Sequence, residues 1–387
     1  MKIGIDIRLI GKKQTGSEAV FFNLVKNLAD INRGGLTSTD KEYFLYTDND
    51  PEKNSDLKSE IEKLRLSNKF KIVFLNSPNR FWWNLWALPN YLRKNPVDVF
   101  HTQYIAPFWL PKNVKLVLTI HDISFNFFPK FIKFSDLLFL KTLIPRSLRM
   151  ASKIIAVSSF TKNEIEKYYH IPADNVVSIH NGVDFELFNQ AIAQEIREEV
   201  RKKYNLPEKF LLYIGTLQPR KNIPVLIESL KILNEKYNQE GIRLVIAGNR
   251  KAHNFDLKIN EAISKYNLQD SVIFPGWIDG EDKPALYKLA QCFVFPSLYE
   301  GFGIPIIEAM AAGVPVVSSN SSCLPEVGKD GALYADQKKP EEFAKIIQEV
   351  LSDENLRKDL IAKGSETAKN YTWQKNAQKT LELYKNL

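Results

Sequence analysis

Two glutamates, two cations and one histidine occupy positions that suit ligand chemistry. Glu300 and Glu308 lie in CFVFPSLYEGFGIPIIEAMAAGVPVVSS, residues 292–319. An apolar strand ends there at Phe295-Pro296 and the loop Glu300-Gly301-Phe302-Gly303 follows. Pro305 suits a first helical turn and Gly313 a helix end, so a short helix of about 305–312 is expected. Its N-terminus offers unpaired N–H groups and the positive end of a dipole, beside glycines that admit a ligand to the backbone. Phosphate oxygens or sugar hydroxyls fit such a place. The two carboxylates are acceptors only, and their spacing sets them at different depths of one pocket. That suits a hydroxyl-rich ligand, one carboxylate for a sugar and one for a ribose diol. Taken singly, Glu308 is equally a solvated helix residue and Glu300 a loop charge. The whole segment favours the ligand.

The elements that must position these residues alternate along the chain. KIGIDIRLI, EYFLYT, FKIVFLN, VDVFH, KLVLTIHD and KIIAVS read as strands with helical segments between most of them. KFLLYIG, IRLVIAG, SVIFPG, CFVFPS and VPVVSS then repeat the pattern. Strands separated by helices imply parallel βαβ units, hence an α/β protein of two Rossmann-like domains. A length of 387 residues also suits two domains. The division is expected near HNGVDFELFN (180–189), giving domains 1–189 and 190–371 and a last helix in 372–387. In such sheets ligands sit at the carboxyl ends of the strands, so a cleft between the domains is the expected site. Arg220 and Lys221 follow the strand KFLLYIG, and His121 ends KLVLTIHD. A bare Arg-Lys pair is an ordinary solvated loop and a lone His after a strand is commonly structural. Their place after strands of this cleft argues for function.

Composition narrows the class. Hydrophobic residues make up 44% and charged residues 25%, the balance of a soluble globular protein. Asp6 and Arg8 interrupt the first apolar run, against a signal peptide. Two cysteines, Cys292 and Cys323, exclude a disulfide framework and suggest a reducing, cytoplasmic setting. The net charge is +8, and residues 1–190 hold 26 Lys and Arg against 19 Asp and Glu. Such a basic half suggests an acidic partner. No GxGxxG follows the first strand, against a dinucleotide-dependent dehydrogenase.

The Glu-x7-Glu segment resembles the donor-site signature of retaining nucleotide-sugar glycosyltransferases of the GT-B fold (group 1, family 4, mannosyltransferase-like). YIGTLQPRKN, FPGWID, SSCLPEVGKDGALY and YTWQKNAQKTLELY carry the likeness in the second half. DVFHTQYIAPF, LTIHDISF, IIAVSSFTKNEI and IHNGVD carry it in the first. The resemblance implies that Glu300 binds hydroxyls of the transferred sugar beside the backbone of Phe302, Gly303 and Ile304, and that Glu308 binds the ribose. It implies that Arg220 and Lys221 clamp the diphosphate and that His121 lies against the donor sugar. Fixed cations there stabilise charge growing on the leaving phosphate. Thr216 stands where many relatives carry Arg, and Trp277 of FPGWID joins the donor side. Thr15-Gly16 would bring backbone N–H groups to the diphosphate or acceptor, although GKKQTGSE is poorer in glycine than the family's usual loop. Relatives also suggest that the last helix crosses back to the first domain.

The implied reaction moves a hexose, mannose by expectation, from a nucleotide sugar to a glycan or lipid-linked acceptor, with retention and without metal or cofactor. GDP-mannose is the expected donor. Asp48-Asn49-Asp50 spells a metal-binding Asp-x-Asp but precedes Pro51 in an ordinary turn composition. Residues 125–150 mix Lys130, Lys133, Lys141, Arg146 and Arg149 with Phe131, Phe134, Leu138 and Phe139. That mixture fits either core packing or an anionic membrane surface at the inner face, where it would meet a lipid-linked acceptor. Within RFWWNLWALPNYLRKN (80–95), Trp86 and Leu88 are expected in the core. A non-catalytic sugar-nucleotide binder and another GT-B enzyme such as an epimerase are the alternatives. No nucleic-acid module is recognisable.

Overall fold

The computed structural model describes residues 1–11, 16–33, 41–251 and 254–387. The chain divides into two compact units, one of residues 1–126, 134–182 and 373–387 and one of 127–133 and 183–372.

The first unit is built on a seven-stranded sheet. Its strands are β1 (Lys2–Asp6), β2 (Glu42–Thr47), β3 (Phe70–Phe74), β4 (Val99–Gln103), β5 (Lys115–Ile120), β6 (Lys153–Ala156) and β7 (Val176–Ser178). They run in the order β3-β2-β1-β4-β5-β6-β7 and all pair in parallel. Ile3 and Ile5 of β1 and Val117 and Leu118 of β5 are fully buried, as expected for a sheet covered on both faces. The helix Trp373–Lys385 packs in this unit, where Tyr384 is fully buried against His101.

The segment 80–94 departs from expectation at one residue. Leu88 is buried, but Trp86 is 64% exposed, so Trp86 does not belong to the core. The cause is a π-helical turn over Trp83–Ala87, in which the Leu88 N–H bonds the Trp83 carbonyl. That five-residue step places Trp83 and Leu88 on the buried face and turns Trp86 away from it. Trp83 is fully buried under the Arg8 guanidinium, 3.6 Å from the ring centroid.

The second unit repeats the plan with β8 (Phe210–Ile214), β9 (Arg243–Ala247), β10 (Val272–Gly276), β11 (Cys292–Phe295), β12 (Val316–Ser319) and β13 (Ala332–Ala335). Their order is β10-β9-β8-β11-β12-β13, again all parallel. The strand order reverses between β8 and β11, which pair through Cys292 with Leu211 and Phe293 with Leu212. At such a switch point the flanking connections depart to opposite sides and leave a crevice beyond the strand ends. The short strands β7 and β13 each close one edge of a sheet.

Candidate active site

The loops after β8 and β11 leave that switch point together. A 3-10 turn, Pro219–Lys221, follows β8 and ends at Asn222, whose backbone is left-handed at φ 58°. The Asn222 amide donates to the carbonyls of Pro296 (3.1 Å) and Gln337 (2.7 Å), and the Leu298 N–H donates to the Arg220 carbonyl (2.8 Å). The cation-bearing turn is thus fastened to the loop that carries Glu300.

Glu300 is 6% exposed and lies between both cations. Lys221 Nζ donates to Oε1, and Arg220 Nη1 reaches Oε2 at 3.2 Å and the Tyr299 carbonyl at 3.0 Å. The Lys221 ammonium stands 5.3 Å from the Phe295 ring centroid. Burial pushes the Glu300 carboxyl upward, but Lys221 and Arg220 outweigh it and hold the group below its ordinary value. The backbone of Glu300 is fixed by its N–H to Ser322 Oγ at 2.9 Å and by Cys323 Sγ to its carbonyl at 3.2 Å.

The helix after this loop spans Ile304–Ala311, one residue ahead of the sequence expectation, with Gly303 as its N-cap at φ 91°. A Cβ on Gly303 would meet Leu324 Cδ2 at 2.9 Å, so both backbone conformation and space call for glycine. Phe302 is 3% exposed and its ring packs edge-on against Tyr371. The Phe302 ring is thereby committed to packing.

Glu308 sits one turn inside that helix, in a second cluster. Its Oε2 accepts from the Tyr287 hydroxyl at 2.8 Å, and Lys283 Nζ lies 3.7 Å from Oε1. Tyr287 is itself fully buried, edge-on to Phe188 and Phe293. Thr216 is exposed, its carbonyl accepting from the Tyr213 hydroxyl at 2.9 Å, and Trp277 is 48% exposed just after β10. Arg220, Lys221 and Glu300 therefore form one cluster and Glu308 another, with Thr216 and Trp277 outside both.

In the first unit, His121 follows β5 directly and its Nε2 bonds Gln103 Oε1 at 2.7 Å. Gln103 is the last residue of β4, and the Tyr104 ring centroid lies 5.4 Å from that of His121. Burial pushes the imidazole down to about 4, against a smaller upward pull from Asp122. Asp122 itself accepts from the Ser124 N–H (2.9 Å) and hydroxyl (2.7 Å), a local turn.

A second histidine makes the contrast. His101, 1% exposed on β4, has both ring nitrogens engaged, Nδ1 with the Tyr384 hydroxyl and Nε2 with Thr119 Oγ1 at 2.7 Å. His121 has one engaged nitrogen and a ring that is only half-buried by area. Gly16 opens the helix Gly16–Arg33 and has open space around it, while Thr15 lies outside the described residues. Asp50 closes a turn, its Oδ1 accepting from the Glu52 N–H at 3.0 Å. Among the described residues no group of His, Cys, Asp and Glu is placed to hold a metal ion.

Sequence reasoning missed Tyr287, Lys283 and Gln103. Tyr287 lies in ALYKLA, which reads as an amphipathic helix, and nothing in one sequence ties it to a carboxylate on another helix.

Comparison with known proteins gives the family and the fold. The model for group 1 glycosyl transferases matches residues 196–367, and that for glycosyltransferase family 4 matches residues 16–187. The O-antigen chain mannosyltransferase B of Escherichia coli is 32% identical over 312 residues, spanning 80% of this chain and 78% of that protein. The sucrose-phosphate synthase structure from Thermosynechococcus elongatus aligns with a TM-score of 0.76 at 20% identity, covering 100% of this chain and 98% of that one. Anabaena HepE in complex with UDP-glucose aligns with a TM-score of 0.75 at 18% identity, covering 100% of both chains. The two structural likenesses carry the fold, which is GT-B.

Proposed function

The chain belongs to the group 1, family 4 glycosyltransferases, and from that footing we propose that it moves mannose from GDP-mannose to a glycan or lipid-linked acceptor in cell-surface polysaccharide synthesis. The relative in Escherichia coli named as an O-antigen chain mannosyltransferase supports the sugar and the pathway class. The single observation that carries the site reading is the buried Glu300 carboxylate held between Arg220 and Lys221 at the β8/β11 switch point. A diphosphate competes with Glu300 for these two cations, which releases the carboxylate to accept sugar hydroxyls.

In this reading the bond from the anomeric carbon to the phosphate oxygen breaks as the bond to the acceptor oxygen forms on the same face. The leaving diphosphate takes the acceptor's proton, and Arg220 and Lys221 stabilise its growing charge. Glu308 binds the ribose diol and His121 a sugar hydroxyl. Retention, metal independence and the identity of the donor are parts of the proposal. NMR of the product from GDP-α-mannose tests them: an α-linked product that also forms in chelator is expected. A β-linked product overturns retention, and activity restored only by magnesium or manganese overturns metal independence.

A peripheral place at the inner membrane face extends the proposal. Phe134 is 79% and Leu138 56% exposed on the helix Phe134–Met150, which also carries the exposed Lys141 and Arg149. Exposed aromatic and aliphatic groups beside basic ones suit an anionic lipid surface. Among the described residues no helix is long and apolar enough to cross a membrane. Sedimentation with vesicles rich in phosphatidylglycerol is expected to capture the protein at low salt. Lys130→Glu, Lys133→Glu and Lys141→Glu together are expected to release it, and no capture by wild type rejects the membrane role.

A further inference from the structure

We propose that Gln103 is a positioning residue that holds His121 as its Nε2–H tautomer and so presents Nδ1 as an acceptor for a hydroxyl of the transferred sugar. The inference rests on the proposed reading in which His121 binds a hydroxyl of the transferred sugar, and adds what sets its chemistry.

In the placed orientation the Gln103 amide oxygen faces His121 Nε2 at 2.7 Å, and an oxygen that only accepts calls for the proton on Nε2. The neutral ring then has one acceptor, Nδ1, and no described protein group bonds it. His101 shows what a purely structural histidine looks like in the same sheet, with both nitrogens bonded to Thr119 and Tyr384. A half-buried neutral imidazole with one unengaged acceptor selects a ligand that donates, and a sugar hydroxyl does so. A phosphate oxygen at that ring would meet no proton.

The backbone under Gln103 is unusual in the same place. The Ile105 N–H bonds the Gln103 carbonyl at 2.6 Å across Tyr104, whose φ is +57°. This is a γ-turn in the left-handed region, a strained conformation that surrounding structure must enforce. The Tyr104 N–H to the Thr119 carbonyl at 3.0 Å pins it to β5, one residue before that strand ends. Thus the turn brings the Gln103 side chain and the Tyr104 ring to His121 from one strand end. The charged and titratable neighbours are Asp122, engaged by Ser124, His101 on β4, and the Tyr104 phenol. Of these, Asp122 alone favours the imidazolium.

The test combines three variants with ¹⁵N-histidine NMR, which reads the tautomer of each of the five histidines, His121 being assigned by its loss in His121→Ala. Wild type is expected to show the Nε2–H pattern for His121. Gln103→Leu is expected to lose it and to slow hydrolysis of GDP-mannose about tenfold, as for one lost hydrogen bond. Free GDP should bind with about unchanged affinity. Gln103→Glu keeps the acceptor and is expected to restore the tautomer and most turnover at high pH. It also favours the imidazolium, so its activity should fall as pH drops through a raised histidine pKa. A wild-type tautomer and rate in Gln103→Leu overturns the inference, as does a Gln103→Glu variant that folds but rescues neither. Normal turnover in His121→Ala instead removes His121 from the donor site, and this inference falls with it.

Discussion

Glu300 and Glu308 share one short segment, yet their surroundings give them different work. Glu300 bridges Arg220 and Lys221, whereas Glu308 rests on the Tyr287 hydroxyl with Lys283 at its other oxygen. Both glutamates were legible in the sequence because glycines, a proline and two apolar runs bracket them. Their partners were not, because Tyr287 and Gln103 act through contacts that only the folded chain makes. Lys221→Ala and Arg220→Ala are expected to lower kcat by about 10²–10³ with a smaller change in KM, since charge develops in the transition state. Steady-state kinetics decides this, and a rise in KM alone would demote the pair to ground-state contacts. Tyr287→Phe keeps the buried ring and removes one hydrogen bond to a carboxylate, worth about 1.5–3 kcal/mol. Calorimetry with GDP should show weaker binding in Tyr287→Phe, with no further loss when it is added to Glu308→Ala. Additive losses would mean that Tyr287 does not act through Glu308.

At the scale of elements, alternation of apolar runs gave eleven of the strands and their parallel sense. The two that escaped notice, β7 (Val176–Ser178) and β13 (Ala332–Ala335), are short edge strands of three and four residues. Each carries only two apolar residues besides alanine or serine, too short a run to stand out. Trp86 escaped for another reason, since the helix expected there from the resemblance placed it inside and the π turn at Trp83–Ala87 places it outside. Gly303 was legible as a loop glycine but its left-handed φ of 91° was not. Gly303→Ala is expected to cost about 1–3 kcal/mol through that conformation, with the close approach to Leu324 adding to it. It should also weaken donor binding by tilting the start of the helix Ile304–Ala311. Urea unfolding checks the first part, and an unchanged midpoint contradicts the backbone assignment.

For the molecule as a whole, two neutral histidines in the first unit tie stability to pH. Burial pushes His101 down to about 3 and His121 to about 4, against about 6.5 in an unfolded chain. Below pH 6.5 the unfolded chain takes up protons that the folded unit refuses, so stability falls as pH drops toward about 4 and is level above about 7. Two such groups give a slope of up to about 2.7 kcal/mol per pH unit. Five of the six tryptophans, all but Trp277, belong to the first unit, so their fluorescence follows its unfolding. The urea midpoint is expected to fall between pH 7.5 and 5.5, and less so in His101→Gln. A midpoint independent of pH contradicts two imidazoles held neutral by the fold. A donor site divided between a ribose carboxylate and a sugar carboxylate makes opposite demands on GDP, and calorimetry reads both. Glu308→Ala is predicted to weaken GDP roughly ten- to a hundredfold. Glu300→Gln is predicted to leave GDP as tight or tighter, because it frees two cations for the diphosphate, while hydrolysis of GDP-mannose falls. Equal weakening of GDP by both substitutions would mean that the two carboxylates do not divide ribose and sugar between them.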